Sequence, residues 1–220
     1  MLDILAARPW QNPECTGQNR LPARATLLPF PTEKSAQTRN PKRSPWVQSL
    51  NGTWDFRLVS RPEAAPRTFI QSKYKPGRGW STIQVPGNWT MQGFDYPHYT
   101  NVQMPFQHEP PTVPDENPTG LYRKQITIPK KWKGRRIVLH FGGVESVLCL
   151  YVNGHPVGLS KDSRLPAEFD ITPFVTPGRK TTVAAVVIRW SDASFIEDQD
   201  HWWMAGIHRD VYLYATDSTY

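Results

Sequence analysis

The sequence has few cysteines and no long apolar run, and both shortages limit what the chain can be. Only Cys15 and Cys149 occur in 220 residues, too few for the disulfide framework of a small secreted domain. Cys149 lies in an apolar strand pattern, where a reduced, buried thiol is expected. No stretch approaches the ~20 apolar residues of a membrane-spanning helix. Residues 1–8 carry an acid and only a short apolar run, so we expect no signal peptide and a cytoplasmic protein.

Helical periodicity is also scarce, whereas proline is abundant. The chain contains 22 prolines, and each one removes a backbone hydrogen-bond donor and favours turns, edge strands or first helical turns. Aromatic residues make up 12% of the sequence, which can supply the core of an all-β domain of this length. The composition therefore predicts many short strands joined by fixed loops, with few helices.

The net charge of +7 makes a polyanionic partner worth considering. The basic residues cluster at 39–43 and 130–136, and such runs can bind phosphate backbones. Both runs lie in predicted loops or at predicted strand starts, where solvated lysines are common, and no nucleic-acid motif accompanies them. We therefore expect neither a nucleic-acid partner nor a membrane partner.

The chain divides into two parts that differ in composition and apolar pattern, 1–45 and 46–220. The first part is rich in Pro, Arg, Asn and Thr and shows neither the helical nor the strand period, which predicts an extended arm. The second part alternates short apolar runs with turn signals and has no βαβ pattern, which predicts an all-β jelly-roll sandwich. The predicted strands are 53–58, 81–85, 121–128, 136–141, 147–152, 155–159, 181–190 and 211–215.

Two connections between the predicted strands have features of their own. The segment 86–119 is longer than structureless connections usually are, which marks it as a functional loop. The segment 169–174 is predicted to form a short capped turn, with Asp170 or Thr172 as its N-cap.

The segment 190–210 combines several carboxylates with three tryptophans, Trp190, Trp202 and Trp203. Carboxylates can accept hydrogen bonds from sugar hydroxyls, and aromatic faces can pack against the C–H side of a pyranose ring. The segment is therefore typical of a carbohydrate site.

Four collinear segments resemble the amino-terminal sugar-binding domain of the long bacterial β-galactosidases of glycoside hydrolase family 2: 85–102, 115–122, 161–170 and 189–211. The strings Asp-Ser-Arg-Leu-Pro and Glu-Asp-Gln-Asp are its most specific parts. The resemblance implies a galactose-binding-domain-like jelly roll in a parent enzyme that hydrolyses terminal non-reducing β-D-galactosides, such as lactose, with retention. Both catalytic glutamates of that family lie in a TIM barrel, so we expect this chain to lack them and to be inactive alone.

The resemblance implies two substrate-binding residues, Asn101 and Asp200. Asn101 matches a family asparagine whose amide reaches the galactosyl site. Asp200 matches an aspartate that touches the galactosyl ring and helps to hold a sodium ion, for which a carboxylate is a suitable hard oxygen ligand. The other sodium ligands belong to the barrel in the family, so we expect no tight binding of sodium to this chain alone.

Three positions depart from the family pattern. Trp203 stands where a charged residue is usual. Asp192 matches a residue of a peripheral magnesium site, but the acid expected before Asn12 is replaced around Pro9, and the expected glutamine is Lys161. We expect this magnesium site to be lost, because an ammonium at Lys161 can occupy the position of the cation.

Other interpretations remain open. The chain could be a stand-alone, non-catalytic carbohydrate-binding module, or an assembly partner that restores activity to a separate catalytic chain. In the family the arm supports homo-oligomer assembly. Without the resemblance, Asn101 is simply a turn residue, and Asp200 is a surface acid or an ion-pair partner of Arg209.

Overall fold

The computed structural model describes residues 3–101 and 103–217. Residues 1–2 of the predicted arm, residue 102 and residues 218–220 of the predicted sandwich lie outside the described residues. Within the described part, no helix is both long and apolar enough to cross a membrane.

Short strands dominate the described part of the chain. In chain order they are β1 (Gly17–Gln18), β2 (Val47–Ser49), β3 (Gly52–Val59), β4 (Ser81–Val85), β5 (Gly87–Asn88), β6 (His98–Tyr99), β7 (Thr119–Thr127), β8 (Arg136–Phe141), β9 (Val144–Glu145), β10 (Val147–Val152), β11 (His155–Ser160), β12 (Ala167–Asp170), β13 (Lys180–Ile188), β14 (Trp202–Trp203), β15 (Gly206–Ile207) and β16 (Val211–Thr216). The helices are α1 (Asp3–Ala6) and α2 (Glu33–Gln37), with 3₁₀ turns at Pro9–Gln11, Pro41–Arg43, Pro62–Ala64, Arg67–Ile70, Trp89–Met91, Lys130–Trp132, Thr172–Phe174 and Asp192–Phe195.

Two antiparallel sheets form the sandwich. The larger sheet has the order β1-β11-β10-β13-β7-β3-β4, and the smaller one has the order β12-β8-β16-β2. Two smaller pairings, β14-β6 and β5-β15-β9, organise the segments that carry the candidate site. This architecture confirms the predicted all-β jelly-roll sandwich.

Strand β10 shows how the sequence builds two cores. All six of its residues are buried, and successive side chains of a strand point to opposite faces. Leu148 and Leu150 pack into the core between the two sheets. Val147 and Cys149 pack into a second apolar cluster on the outer face of the larger sheet. Burial raises the pKa of the Cys149 thiol, and the thiol is free, as expected for a buried structural cysteine.

The N-terminal arm covers that outer face. Its side chains Leu5 and Trp10 are almost fully buried within the second cluster. Further along, Arg24 donates to both carboxylate oxygens of Glu168 on β12, at 3.0 and 3.1 Å, and to the Tyr214 hydroxyl at 2.6 Å. The arm is extended apart from its short helices and turns. Helices of four or five residues leave no detectable apolar period, so the sequence did not predict them.

Two connections differ in part from what the sequence predicted. The predicted capped turn at 169–174 was partly wrong, because Phe169 and Asp170 end strand β12, and the N-cap of the 3₁₀ turn is Ile171 and neither Asp170 nor Thr172. Asp170 Oδ1 still accepts the Thr172 backbone N–H at 3.0 Å and so supports the 3₁₀ turn that follows. The long connection at 86–119 is not structureless, since it contains β5, a 3₁₀ turn and β6.

Candidate functional site

The two-stranded ribbon of β6 and β14 is the framework of the candidate site. Tyr99 pairs with Trp202, and His98 pairs with Trp203, in antiparallel register. Neighbouring side chains of a strand alternate between faces. Trp203 is accordingly 3% exposed, whereas Trp202 is 53% exposed. These adjacent tryptophans therefore lie on opposite faces of the ribbon.

The inner face of the ribbon is anchored to the sandwich by Trp203. Its indole Nε1 donates a 2.9 Å hydrogen bond to Thr100 Oγ1. Its ring packs edge-on against Trp190, with the ring centroids 5.4 Å apart, and Trp190 directly follows the buried Arg189. Trp203 is therefore an aromatic anchor in the second apolar cluster.

The outer face presents two exposed aromatic rings next to a carboxylate. The Tyr99 and Trp202 ring centroids are 5.5 Å apart. The Tyr99 hydroxyl donates a 2.7 Å hydrogen bond to Asp200 Oδ1. This hydrogen bond raises the pKa of Tyr99, because the protonated phenol is the form that donates to the carboxylate. Asp200 is thus held beside the ribbon while remaining exposed.

The same register brings the two predicted site residues to one end of the ribbon. Asn101 lies two residues after Tyr99, and Asp200 lies two residues before Trp202. Because Tyr99 and Trp202 are paired and the strands are antiparallel, the chain leaves β6 and enters β14 at the same end of the ribbon, so Asn101 and Asp200 both follow or precede the strands at that end. Both residues are exposed, so this end of the ribbon can reach a ligand or another domain.

The segment before Asp200 is fastened by the loop that follows β11. The Ser163 backbone N–H donates to Glu197 Oε1 at 2.8 Å, and the Ser163 hydroxyl donates to Oε2 at 2.5 Å. In the same loop, Arg164 Nη2 lies 3.2 Å from His201 Nε2, and Arg164 Nη1 donates to Glu145 Oε2 at 3.2 Å. Burial raises the pKa of Glu145, although the nearby Arg164 charge opposes this.

These contacts join the two strings that are the most specific parts of the resemblance. Ser163 and Arg164 belong to the Asp-Ser-Arg-Leu-Pro string, and Glu197 belongs to the Glu-Asp-Gln-Asp string. Sequence reasoning assigned no role to these three residues. The signal was present only as the joint occurrence of the strings, since no periodic pattern marks a contact between two loops.

Arg189 fastens the other side of the ribbon. Its guanidinium is almost fully buried and forms an ion pair with Asp95. It also donates to the Tyr96 carbonyl at 3.2 Å and to the Trp203 carbonyl at 3.3 Å. Burial lowers the pKa of Arg189, and the negative charge of Asp95 opposes this effect. One buried cation therefore connects the loop before β6 to strand β14.

The described carboxylates form no complete site for the cations that the resemblance implies. Among residues 3–101 and 103–217, no group of three or more His, Cys, Asp or Glu side chains is placed to hold a metal ion. At the ribbon, Asp200 supplies a carboxylate with one oxygen engaged by Tyr99. A sodium ion bound there would need further oxygen ligands from outside this group.

The implied magnesium position contains a lysine ammonium. Lys161 Nζ lies 2.7 Å from Asp192 Oδ1 and 2.8 Å from Oδ2. It also donates to the carbonyl oxygens of Pro9, at 3.1 Å, and Asn12, at 2.8 Å. The ammonium contacts all of these oxygens, so a magnesium ion does not fit among them while the lysine side chain is present.

Comparison with known proteins gives a consistent family match. The family model described as "Glycosyl hydrolases family 2, sugar binding domain" matches residues 47–217. The chain is 46% identical over 212 residues to a β-galactosidase of Vibrio cholerae, covering 96% of this chain and 20% of that protein. It is 43% identical over 210 residues to a β-galactosidase of Priestia megaterium, covering 93% and 20%. The chain therefore spans about a fifth of the length of these curated relatives.

Solved structures show the same fold at lower identity. A β-glucuronidase of Bacteroides uniformis matches with a TM-score of 0.59 and 24% identity, over 78% of this chain and 18% of that chain. A β-glucuronidase of Faecalibacterium prausnitzii matches with a TM-score of 0.57 and 21% identity, over 81% and 33%.

Proposed function

The chain belongs to glycosyl hydrolase family 2, and we propose that it is the amino-terminal domain of a β-galactosidase. The parent enzyme hydrolyses terminal non-reducing β-D-galactosides by a retaining mechanism, and this domain contributes to the galactose subsite and to assembly. The proposal is supported by identities of 43–46% to proteins named β-galactosidase over nearly the whole chain. In this proposal residues 1–45 form the arm and residues 46–220 form the sugar-binding domain.

The pairing of Tyr99 with Trp202 is the observation that carries the proposed site. It brings Asn101 and Asp200 to one end of the ribbon, beside two exposed aromatic rings. In the proposed subsite, the Asp200 carboxylate accepts hydrogen bonds from sugar hydroxyls, and the Asn101 amide both donates and accepts. The aromatic rings offer apolar faces for the C–H side of the sugar.

This domain supplies part of a site and does not carry the bond-breaking chemistry. Retaining glycosidases use an acid/base carboxyl group and a nucleophilic carboxylate about 5–5.5 Å apart. In the proposed enzyme both groups are glutamates of another domain. That domain also completes the sodium site around Asp200. The partners of this chain are therefore the remaining domains of the enzyme and, in the homo-oligomer, further copies of it.

Hydrolysis of a chromogenic β-galactoside tests the proposal. The purified chain is assayed alone and mixed with a β-galactosidase that lacks this domain, and an unrelated β-sandwich replaces the chain as a control. We expect activity in the mixture and none from the chain alone. Activity from the chain alone contradicts the absence of catalytic glutamates, and an inactive mixture contradicts the assembly role.

A stand-alone, non-catalytic carbohydrate-binding module is a second candidate. The exposed fractions of Tyr99 and Trp202, 50% and 53%, favour it, because exposed aromatic rings beside an acid can bind a sugar without another domain. Calorimetric titration of the chain with galactose separates the two functions. Measurable binding that Trp202→Ala abolishes supports the module. Absence of binding, together with activity in the mixture, supports the enzyme domain.

A further inference from the structure

The oxygen cluster around Lys161 joins three separate segments of the chain. The Pro9 and Asn12 carbonyls belong to the arm, Lys161 directly follows β11, and Asp192 begins the 3₁₀ turn Asp192–Phe195. The Lys161 and Asp192 side chains are only 3% and 6% exposed. The cluster is thus a buried junction between the arm and the sandwich.

The junction matches an ammonium in both charge and hydrogen bonding. An ammonium carries one positive charge and three N–H donors. The junction offers one carboxylate, from Asp192, and two backbone carbonyls. The charge is therefore neutralised and each acceptor group receives a donor, which is the condition for burying an ion at tolerable cost.

We propose that the Lys161 ammonium binds the arm to the sandwich and makes this junction independent of magnesium. The ammonium takes the place of the magnesium that the family resemblance implies. When the lysine is replaced by a neutral residue, Asp192 and the two carbonyls remain as an oxygen-lined anionic cavity. Such a cavity suits a hard divalent cation, which prefers oxygen ligands.

The junction also lies next to the candidate sugar site. Lys161 directly precedes the loop in which Ser163 holds Glu197. Asp192 begins the turn that leads along the chain to Glu197 and Asp200. Lys161 is therefore a positioning residue for this region, and its effect on the arm can be measured without any sugar or any catalytic activity.

Thermal unfolding of the whole 220-residue chain tests the proposal, with a chelator or with millimolar magnesium chloride. The wild-type midpoint is expected to be the same in both. Lys161→Gln is expected to lower the midpoint by about 10 °C with chelator, because the Asp192 charge loses its partner. Magnesium is expected to restore part of this loss. The double variant Lys161→Gln/Asp192→Asn should not respond to magnesium, and Lys131→Gln, at an exposed lysine, should behave as wild type.

Limited trypsin digestion reports on the arm directly. The Arg20 side chain donates to Ser160 Oγ at 3.0 Å, at the end of β11. Cleavage after Arg20 is expected to be about tenfold faster in Lys161→Gln with chelator than in wild type, since local release of the arm exposes this bond. Added magnesium is expected to slow the cleavage of this variant and to leave the wild-type rate unchanged.

Several results would overturn the proposal. One is a wild-type unfolding midpoint that rises with magnesium. Another is a folded Lys161→Gln protein that is as stable as wild type. A third is a folded Lys161→Gln protein whose midpoint does not respond to magnesium. If Lys161→Gln does not fold, the unfolding midpoint of the single variant Asp192→Asn tests the proposal instead. This variant leaves a buried ammonium without its carboxylate, so its midpoint is expected to fall and magnesium should not restore it. An unchanged midpoint for Asp192→Asn contradicts the proposal.

Discussion

Ser163 binds both carboxylate oxygens of Glu197, through its backbone N–H at 2.8 Å and its hydroxyl at 2.5 Å. This pair connects the loop after β11 to the segment that leads into Asp200. The hydroxyl is buried, so water does not readily replace the hydrogen bond. Asp200 is the residue proposed to bind the sugar. Its position therefore depends on the Ser163–Glu197 contact, which is made three residues earlier in the chain.

Ser163→Ala is expected to loosen this segment. The substitution removes the hydroxyl donor and leaves the backbone donor in place. Hydrogen bonds to charged groups contribute about 1.5–3 kcal/mol, so we expect the free energy of unfolding in urea to fall by an amount in this range. In the mixed β-galactosidase assay the KM should rise. Ser81→Ala, at an exposed serine of β4, is the control, and equal behaviour of the two variants would count against the role of Ser163.

Gly206 is expected to tolerate no side chain. It lies at φ +136 between β5 and β9, and a Cβ atom there would lie 2.8 Å from the Gly87 carbonyl oxygen and 3.0 Å from Asn88 Cα. Both neighbours are backbone atoms, which cannot move aside cheaply. Gly206→Ala should therefore lower the free energy of unfolding by about 2–4 kcal/mol.

Gly77→Ala is the matched control, because a Cβ atom at Gly77 would have no heavy atom within 4 Å. Its free energy of unfolding should stay within about 0.5 kcal/mol of wild type. Urea denaturation of both variants measures the difference. A Gly206→Ala protein as stable as Gly77→Ala would contradict the packing described at this position.

His208 is expected to make the fold sensitive to mild acid. Burial, followed by the positive charges of Arg164 and Arg209, lowers the pKa of His208 from 6.5 to about 4. As the pH falls, the unfolded chain takes up this proton before the folded chain does. The free energy of unfolding should therefore decrease between pH 6.5 and about 4.

His208→Asn should remove part of that decrease, on the order of 2 kcal/mol across the window. Urea denaturation at a series of pH values measures it for both proteins. Burial also lowers the pKa of His98, but His98 is present in both proteins, so the difference between them isolates His208. Two parallel stability curves would show that His208 does not titrate in this way.

The strands of the sandwich could be predicted because their signals are local. In β3, Trp54 and Phe56 alternate with more exposed neighbours, which is the expected period of a half-buried strand. Asn153 and Gly154 have φ values of 52° and 86°, as a type I′ turn requires, and they join β10 to β11. The wholly apolar β10 was predicted as a strand, but the sequence could not show that the arm covers one of its faces.

The candidate site was less predictable, because its contacts join distant segments. Asn101 and Asp200 were identified only through the family resemblance, since exposed polar residues leave no periodic signal. Their common position depends on the pairing of Tyr99 with Trp202, which nothing in either segment specifies. The contact of Lys161 with Asp192 also joins distant segments, and both residues were singled out only through the resemblance.

In the proposed function, Asp200 binds the sugar in an assembled β-galactosidase. The most direct test is kcat/KM for a chromogenic β-galactoside in the mixture of this chain with a β-galactosidase that lacks the domain. Asp200→Asn is expected to lower kcat/KM by about 10–100-fold, because a charged hydrogen-bond acceptor is lost. Asp115→Asn, at a side chain that is 92% exposed, should leave kcat/KM unchanged. An Asp200→Asn mixture as active as wild type would contradict the claim.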